Sequence, residues 1–180
     1  EQALPEPTGQ DENGMSGNII YRTRELQDFR QTVATVFELA SLYRYDLFPW
    51  LRVFDLPQWY NYVSNVLPYK ADPPKRERVH RPAYTSRPGW DGTRDCDDKA
   101  VLILAFVELQ NEVEEKERPI KTRLVVSGRA GRAHHIYPEL EFPGTPGIWT
   151  PYDATYPAPR CEIGKRLFEE GFREVYYPNR

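Results

Sequence analysis

Residues 100–107 read Ala-Val-Leu-Ile-Leu-Ala-Phe-Val, and no other stretch limits the fold as tightly. A helix that is apolar on every side has no face to offer water and belongs at the centre of a core. Directly before it stands the polar, glycine-containing turn Gly92-Thr93-Arg94-Asp95-Cys96-Asp97-Asp98-Lys99. The expected helix therefore begins near Asp95, an N-cap residue whose carboxylate would accept from the N–H of Asp97 or Asp98. Asp98 takes the place that Glu or Gln holds in a capping box, so the box is approximate. This junction puts Cys96 on the first turn of a buried helix. The helix dipole favours a thiolate there, which lowers the thiol pKa and makes the sulfur a nucleophile. The neighbouring carboxylates pull the other way, so a basic partner has to come from elsewhere.

Around this centre the order of elements predicts an α+β fold. Residues 1–17 hold Pro5, Pro7, Gly9, Gly14 and Gly17 among acids and amides, the composition of a flexible arm that its own domain or an assembly partner would have to hold. Residues 18–180 read as a single domain. Between 24 and 46, Leu26, Phe29, Val33, Val36, Phe37, Ala40 and Leu42 recur at helical spacing. A second helix is expected over 57–66, opened by Pro57 and closed by Pro68. Residues 70–92, with four prolines, read as a long irregular loop carrying Lys75, Arg76, Arg78, Arg81 and Arg87. Beyond the central helix, residues 120–126 alternate as a half-buried strand. Further strands are expected over 133–142, 148–152 and 174–177, with a short helix near 163–170.

Composition excludes several classes. A formal net charge of -3 gives no reason to expect a nucleic-acid binder, and the basic segment at 75–87 reads first as a solvated loop. No apolar run reaches the roughly 18 residues that cross a bilayer, and a mean hydropathy of -0.71 describes a soluble chain. Two cysteines, Cys96 and Cys161, are too few for a disulfide framework, though they leave one bridge open. With no secretory segment in view the expectation leans cytoplasmic; Glu1 in first place leaves a removed leader open.

Three residue types then stand in chain order: Cys96 at a helix start, the pair His134-His135 on a strand, and Asp153 at the end of the next strand. Thiol chemistry uses all three. The sulfur is a modest nucleophile until an imidazole takes its proton, and the imidazole needs an acceptor that fixes its tautomer. His134 and His135 point to opposite faces of a strand, so only one can meet Cys96. By burial alone His134 qualifies, sharing a face with Ile136, Leu140 and Phe142. Asp153 has a plainer role open to it, capping the turn at Ala154-Thr155. Glu139 suits a structural hydrogen bond. A Cys/His zinc site lacks paired ligand spacing.

Asp95-Cys96-Asp97-Asp98-Lys99-Ala100 resembles the nucleophile motif of the transglutaminase-like superfamily, within the papain-like thiol fold. His135-Ile136-Tyr137-Pro138-Glu139 is similar to that family's histidine strand, and Trp149-Thr150-Pro151-Tyr152-Asp153-Ala154-Thr155 to its third motif. Order and spacing fit together across residues 89–157, whereas the amino-terminal helices match nothing specific. The resemblance implies a papain-like core, with helices packed on a small antiparallel sheet. It implies Cys96 as nucleophile, His135 as general base and acid, and Asp153 as the residue orienting His135. It also implies an oxyanion hole at the Cys96 N–H plus an upstream donor, for which Trp90 and Tyr84 are the candidates.

The function expected on this basis is covalent acyl transfer on amide or peptide bonds of a protein or peptide substrate, with no cofactor and no metal. Hydrolysis by a cysteine peptidase or amidase is expected ahead of amine cross-linking, with the basic loop 75–87 forming part of the cleft. The alternative is a non-catalytic module of the same fold in a larger assembly.

Overall fold

The computed structural model describes residues 18–21, 29–74, 77–115 and 117–179, so the expected arm at 1–17 lies outside the described residues. Along the chain come β1 (Asn18–Tyr21), α1 (Arg30–Leu42), a 3₁₀ turn at Arg44–Leu47, α2 (Phe48–Leu51), α3 (Leu56–Asn65), β2 (Glu77–His80) and α4 (Pro82–Thr85). They are followed by α5 (Cys96–Val113), β3 (Lys121–Gly128), β4 (His135–Glu141), β5 (Trp149–Pro151) and β6 (Phe172–Tyr176). The architecture is α+β. Helix α5 is the apolar stretch, and every residue from 100 to 107 is at most 1% exposed. α1 and α3 pack against α5, as does β4 of the sheet. Trp59 of α3 stacks on Phe106 of α5 with ring centroids 5.2 Å apart. Its indole N–H also donates to the Leu102 carbonyl at 3.0 Å, which satisfies the ring's one polar atom inside the core.

The sheet has four antiparallel strands in the order β5-β4-β3-β6. β4 lies inside it and is buried along its whole length. Sequential neighbours β3, β4 and β5 form a meander, and β6 returns to the free edge of β3. Glu139, on β4, is 1% exposed and receives Arg123 and Arg173 at 2.6 and 2.7 Å. A carboxylate buried on a central strand is stable only with such partners, so its role is structural, as expected.

Several expected elements change. The long helix over 24–46 is resolved as α1 followed by the 3₁₀ turn, its first residues lying outside the described ones. α3 starts at Leu56 because Asp55 and Gln58 form a full capping box, with bonds of 2.8 and 2.9 Å. The loop over 70–92 contains order that its prolines conceal: β2 pairs antiparallel with β1, Asn18 opposite His80, and α4 follows. Arg94, 1% exposed, holds this segment by donating to the carbonyls of Thr85, Pro68 and Arg87. The helix expected near 163–170 is absent. Gly164 takes φ +83° and donates its N–H to the Pro151 carbonyl, a left-handed conformation that a helix cannot pass through. No helix among the described residues is long and apolar enough to cross a membrane.

Candidate active site

Cys96 is the first residue of α5, so its backbone N–H has no acceptor within the helix. Asp95 stands at the N-cap in an extended conformation, yet its carboxylate makes no capping hydrogen bond. This departs from the expected cap. The side chain is drawn instead into a buried group of acids: Asp95 is 8% exposed, Asp97 and Asp98 are fully buried, and Glu77 of β2 lies against them. Burial, followed by the neighbouring carboxylates, pushes the Asp97 carboxyl well above its ordinary range. Burial likewise raises Glu77 and Asp72 to about 7. Asp72, Glu77, Asp95 and Asp97 therefore keep their protons further toward neutrality than free carboxyls do, which mutes their charge.

Asp95, Asp97 and Asp98 bring carboxylate oxygens within 4.8 Å of one another, a grouping of the kind that binds hard cations. Asp98, however, is committed to His80. It accepts from the His80 backbone N–H at 2.7 Å and lies 3.0 Å from Nδ1 of the ring.

The Cys96 thiol is half-buried. Burial, then Asp95 and Glu77, lift its pKa well above the usual value, against a backbone hydrogen bond from Ile136. The lowered pKa expected from the helix dipole alone is thus corrected, because desolvation beside acids outweighs the dipole. A thiol with a raised pKa stays protonated at rest near neutral pH, and a neighbouring base that takes its proton and stays beside it as a cation favours the thiolate.

His135 is the buried histidine that lines the same cavity as Cys96, although no hydrogen bond joins its ring to the sulfur. It is the first residue of β4, 4% exposed, and its Nε2 lies 2.7 Å from Asp153 Oδ2. Asp153 follows β5 by two residues, and the antiparallel register carries it back toward His135. Burial opposes its charge, but His135 foremost and then Thr155 hold its carboxyl below the ordinary carboxylate range. Asp153 makes both of the contacts its position allowed. Oδ1 accepts from the Thr155 N–H at 3.1 Å and caps the turn, while Oδ2 holds the imidazole. Tyr60 fixes the same residue from the core side, its hydroxyl donating to the Asp153 carbonyl at 2.8 Å.

Cys96 and His135 line one cavity of about 250 Å³, together with Tyr69, Thr155 and Tyr156. The segment after β5 adds Arg160, Leu167 and Phe168, and the turn after β3 adds Arg129 and His134. With Nε2 engaged by Asp153, Nδ1 is the ring nitrogen that His135 has left for a further partner. His134 is exposed, lies outside the strand, and accepts the Arg129 N–H on its Nε2 at 3.0 Å. The burial argument for His134 failed because β4 starts one residue later.

Trp90 and Tyr84 do not line the cavity. Their rings pack on each other at 5.5 Å, and Trp90 closes over His80 at 5.0 Å. Tyr69 lines the cavity instead. Its hydroxyl pKa is raised by burial first and by Cys96 next, so it stays protonated beside the sulfur. The two-way backbone bridge between Lys70 and Arg94, 2.9 and 2.8 Å, carries it there. That pairing spans two loops and leaves no mark in the local sequence. The basic loop is corrected as well: among its described residues none reaches the cavity, and Arg81 is spent on Asp46 at 2.6 Å. Cys161 is buried, free and pushed up to about 12 by burial, so no bridge joins it to Cys96.

Comparison with known family models, curated proteins and solved structures returns no match for this chain.

Proposed function

We propose that this chain is a transglutaminase-like thiol enzyme that cleaves amide or peptide bonds by covalent acyl transfer. One observation carries the reading: Cys96 and His135 share a cavity in which His135 Nε2 is held 2.7 Å from a buried Asp153. In the first half-reaction the Cys96 thiol gives its proton to His135, and the sulfur bonds to the substrate carbonyl carbon. The Cys96 backbone N–H and the Tyr69 hydroxyl are the donors for the resulting oxyanion. As the C–N bond breaks, protonated His135 gives its proton to the leaving amine and a thioester remains. His135 then takes a proton from water, whose oxygen attacks the thioester, releasing the acid and the thiol. Asp153 stabilises the imidazolium formed in both halves.

Water is favoured over an amine as acceptor. Asp95 and Asp97 beside Cys96 are buried and their carboxyl pKa values are raised, so they offer little to attract a lysine, and the cavity lining carries two arginines and no carboxylate. The test offers a panel of peptide amides together with a labelled primary amine. Release of free acid that is lost in Cys96→Ala is the expected result. Amine incorporation in excess of hydrolysis would reassign the chain to transfer. Neither product, with the fold intact, would favour a binding module in a larger assembly.

A further inference from the structure

Among the described residues, Arg44, Arg81, Arg123, Arg129 and Arg160 lie over aromatic rings, and they fall into two sets. Arg44 over Tyr45, Arg81 over Tyr43 and Arg123 over Trp149 sit 4.2–4.6 Å from the ring centroids. Each of these also grips a carboxylate at 2.6 Å: Glu112, Asp46 and Glu139 respectively. Arg129 over Phe168 and Arg160 over Tyr156 are stacked in the same manner, at 5.0 and 3.5 Å, but neither has a carboxylate partner among the described residues. These two, with the rings beneath them, line the cavity that holds Cys96 and His135.

A guanidinium laid on a ring keeps its planar edge of donors free and loses little further freedom when it binds. In the first set that edge is filled by the protein's own carboxylates. In the second it borders the cavity, whose lining supplies none.

We propose that Arg129 and Arg160 form a carboxylate-binding subsite, so that the substrate is an acidic peptide with a carboxylate close to the scissile carbonyl. This rests on the acyl-transfer reading of the same cavity. The carboxylate has two sources, a Glu or Asp side chain or a free chain terminus, and recognition by either uses the same paired N–H···O bonds.

Binding rather than turnover is the test, so that its outcome is separate from that of the chemistry. In a Cys96→Ala background, fluorescence anisotropy measures the affinity of labelled peptides with Glu beside the central amide, of Gln isosteres, and of peptides ending there in a free carboxylate or its amide. The expected result is that one carboxylate form binds about tenfold more tightly than its neutral isostere, as a charge-assisted pair should, and that the ratio shrinks with added salt. In Arg129→Gln/Arg160→Gln the ratio falls to about one, whereas a purely structural role for the arginines would weaken both peptides and keep the ratio. Equal affinity for charged and neutral peptides overturns the proposal, as does a preference that survives the double substitution. Should that substitution prevent folding, the ratio in the Cys96→Ala background decides alone. A carboxylate preference without turnover of any peptide in the native chain would keep the subsite and defeat the peptidase reading.

Discussion

His80 and His135 each hold an aspartate at contact distance, His80 Nδ1 at 3.0 Å from Asp98 and His135 Nε2 at 2.7 Å from Asp153. Both pairs are buried, and both lie near the start of α5. They differ in what remains open. His80 spends its backbone N–H on the same carboxylate and is covered by Trp90, so the pair acts as a rivet between β2 and α5. His135 engages Asp153 through its ring alone, and the ring lines the cavity with Cys96. Contact between an imidazole and a carboxylate does not by itself make a catalytic pair; access to a nucleophile does.

The sharpest way to break this comparison is to remove each ring in turn. His135→Ala should lower kcat/KM by about ten-thousand-fold with the fold retained. His80→Ala should act on stability instead, costing on the order of 3–5 kcal/mol because Asp98 is left buried without its partner. Thermal unfolding together with peptide-amide kinetics separates the two. Equal kinetic losses in both variants would erase the distinction. A smaller effect is expected at the cavity wall: Tyr69→Phe should reduce kcat by about a hundredfold with little change in KM, the mark of a donor used in the transition state. An unchanged kcat would remove Tyr69 from the oxyanion hole.

The same two regions answer differently to pH. Burial lowers the His80 pKa, but Asp98 outweighs it and the value ends raised. Such a group stabilises the fold below its unfolded pKa, and that contribution is lost as pH rises through the folded value. Asp72 and Glu77, raised to about 7, have the same sign, since the folded state keeps protons that the unfolded chain releases. Lys99, lowered to about 7, relieves its burial only above that pH. Asp153, held low, loses its contribution only in acid, as pH falls through its depressed value. Stability should therefore fall between about pH 5 and pH 7, by roughly 5 °C in Tm. A Tm that rises over this range would contradict the raised carboxyls of Asp72 and Glu77.

How much of this was legible in the sequence follows from the range of the interactions. The uninterrupted apolar run at 100–107 announced α5, and alternation announced β3. The chain order Cys96, His135, Asp153 needed only one helix start and one meander to bring the three to one candidate site. What stayed hidden depends on partners distant along the chain. β1 pairs with β2 across some sixty residues of sequence, and Tyr69 reaches the sulfur through a loop-to-loop bridge. Asp95 has the identity of a cap, but its buried carboxylate is shared with the side chain of Asp97 and forms no full cap. The short helix expected near 163–170 is one that Gly164 prevents, and those residues became the cavity wall that carries Phe168.

The central claim is that a thiol with a raised pKa is charged only through His135. The most direct measurement is the rate of iodoacetamide alkylation at Cys96 and at Cys161, followed by peptide mass spectrometry in the native chain and in His135→Ala. Near neutral pH, Cys96 should react about a hundredfold faster than buried Cys161, and His135→Ala should remove most of that difference. Equal rates at the two cysteines, or a Cys96 rate indifferent to the loss of His135, would contradict the account.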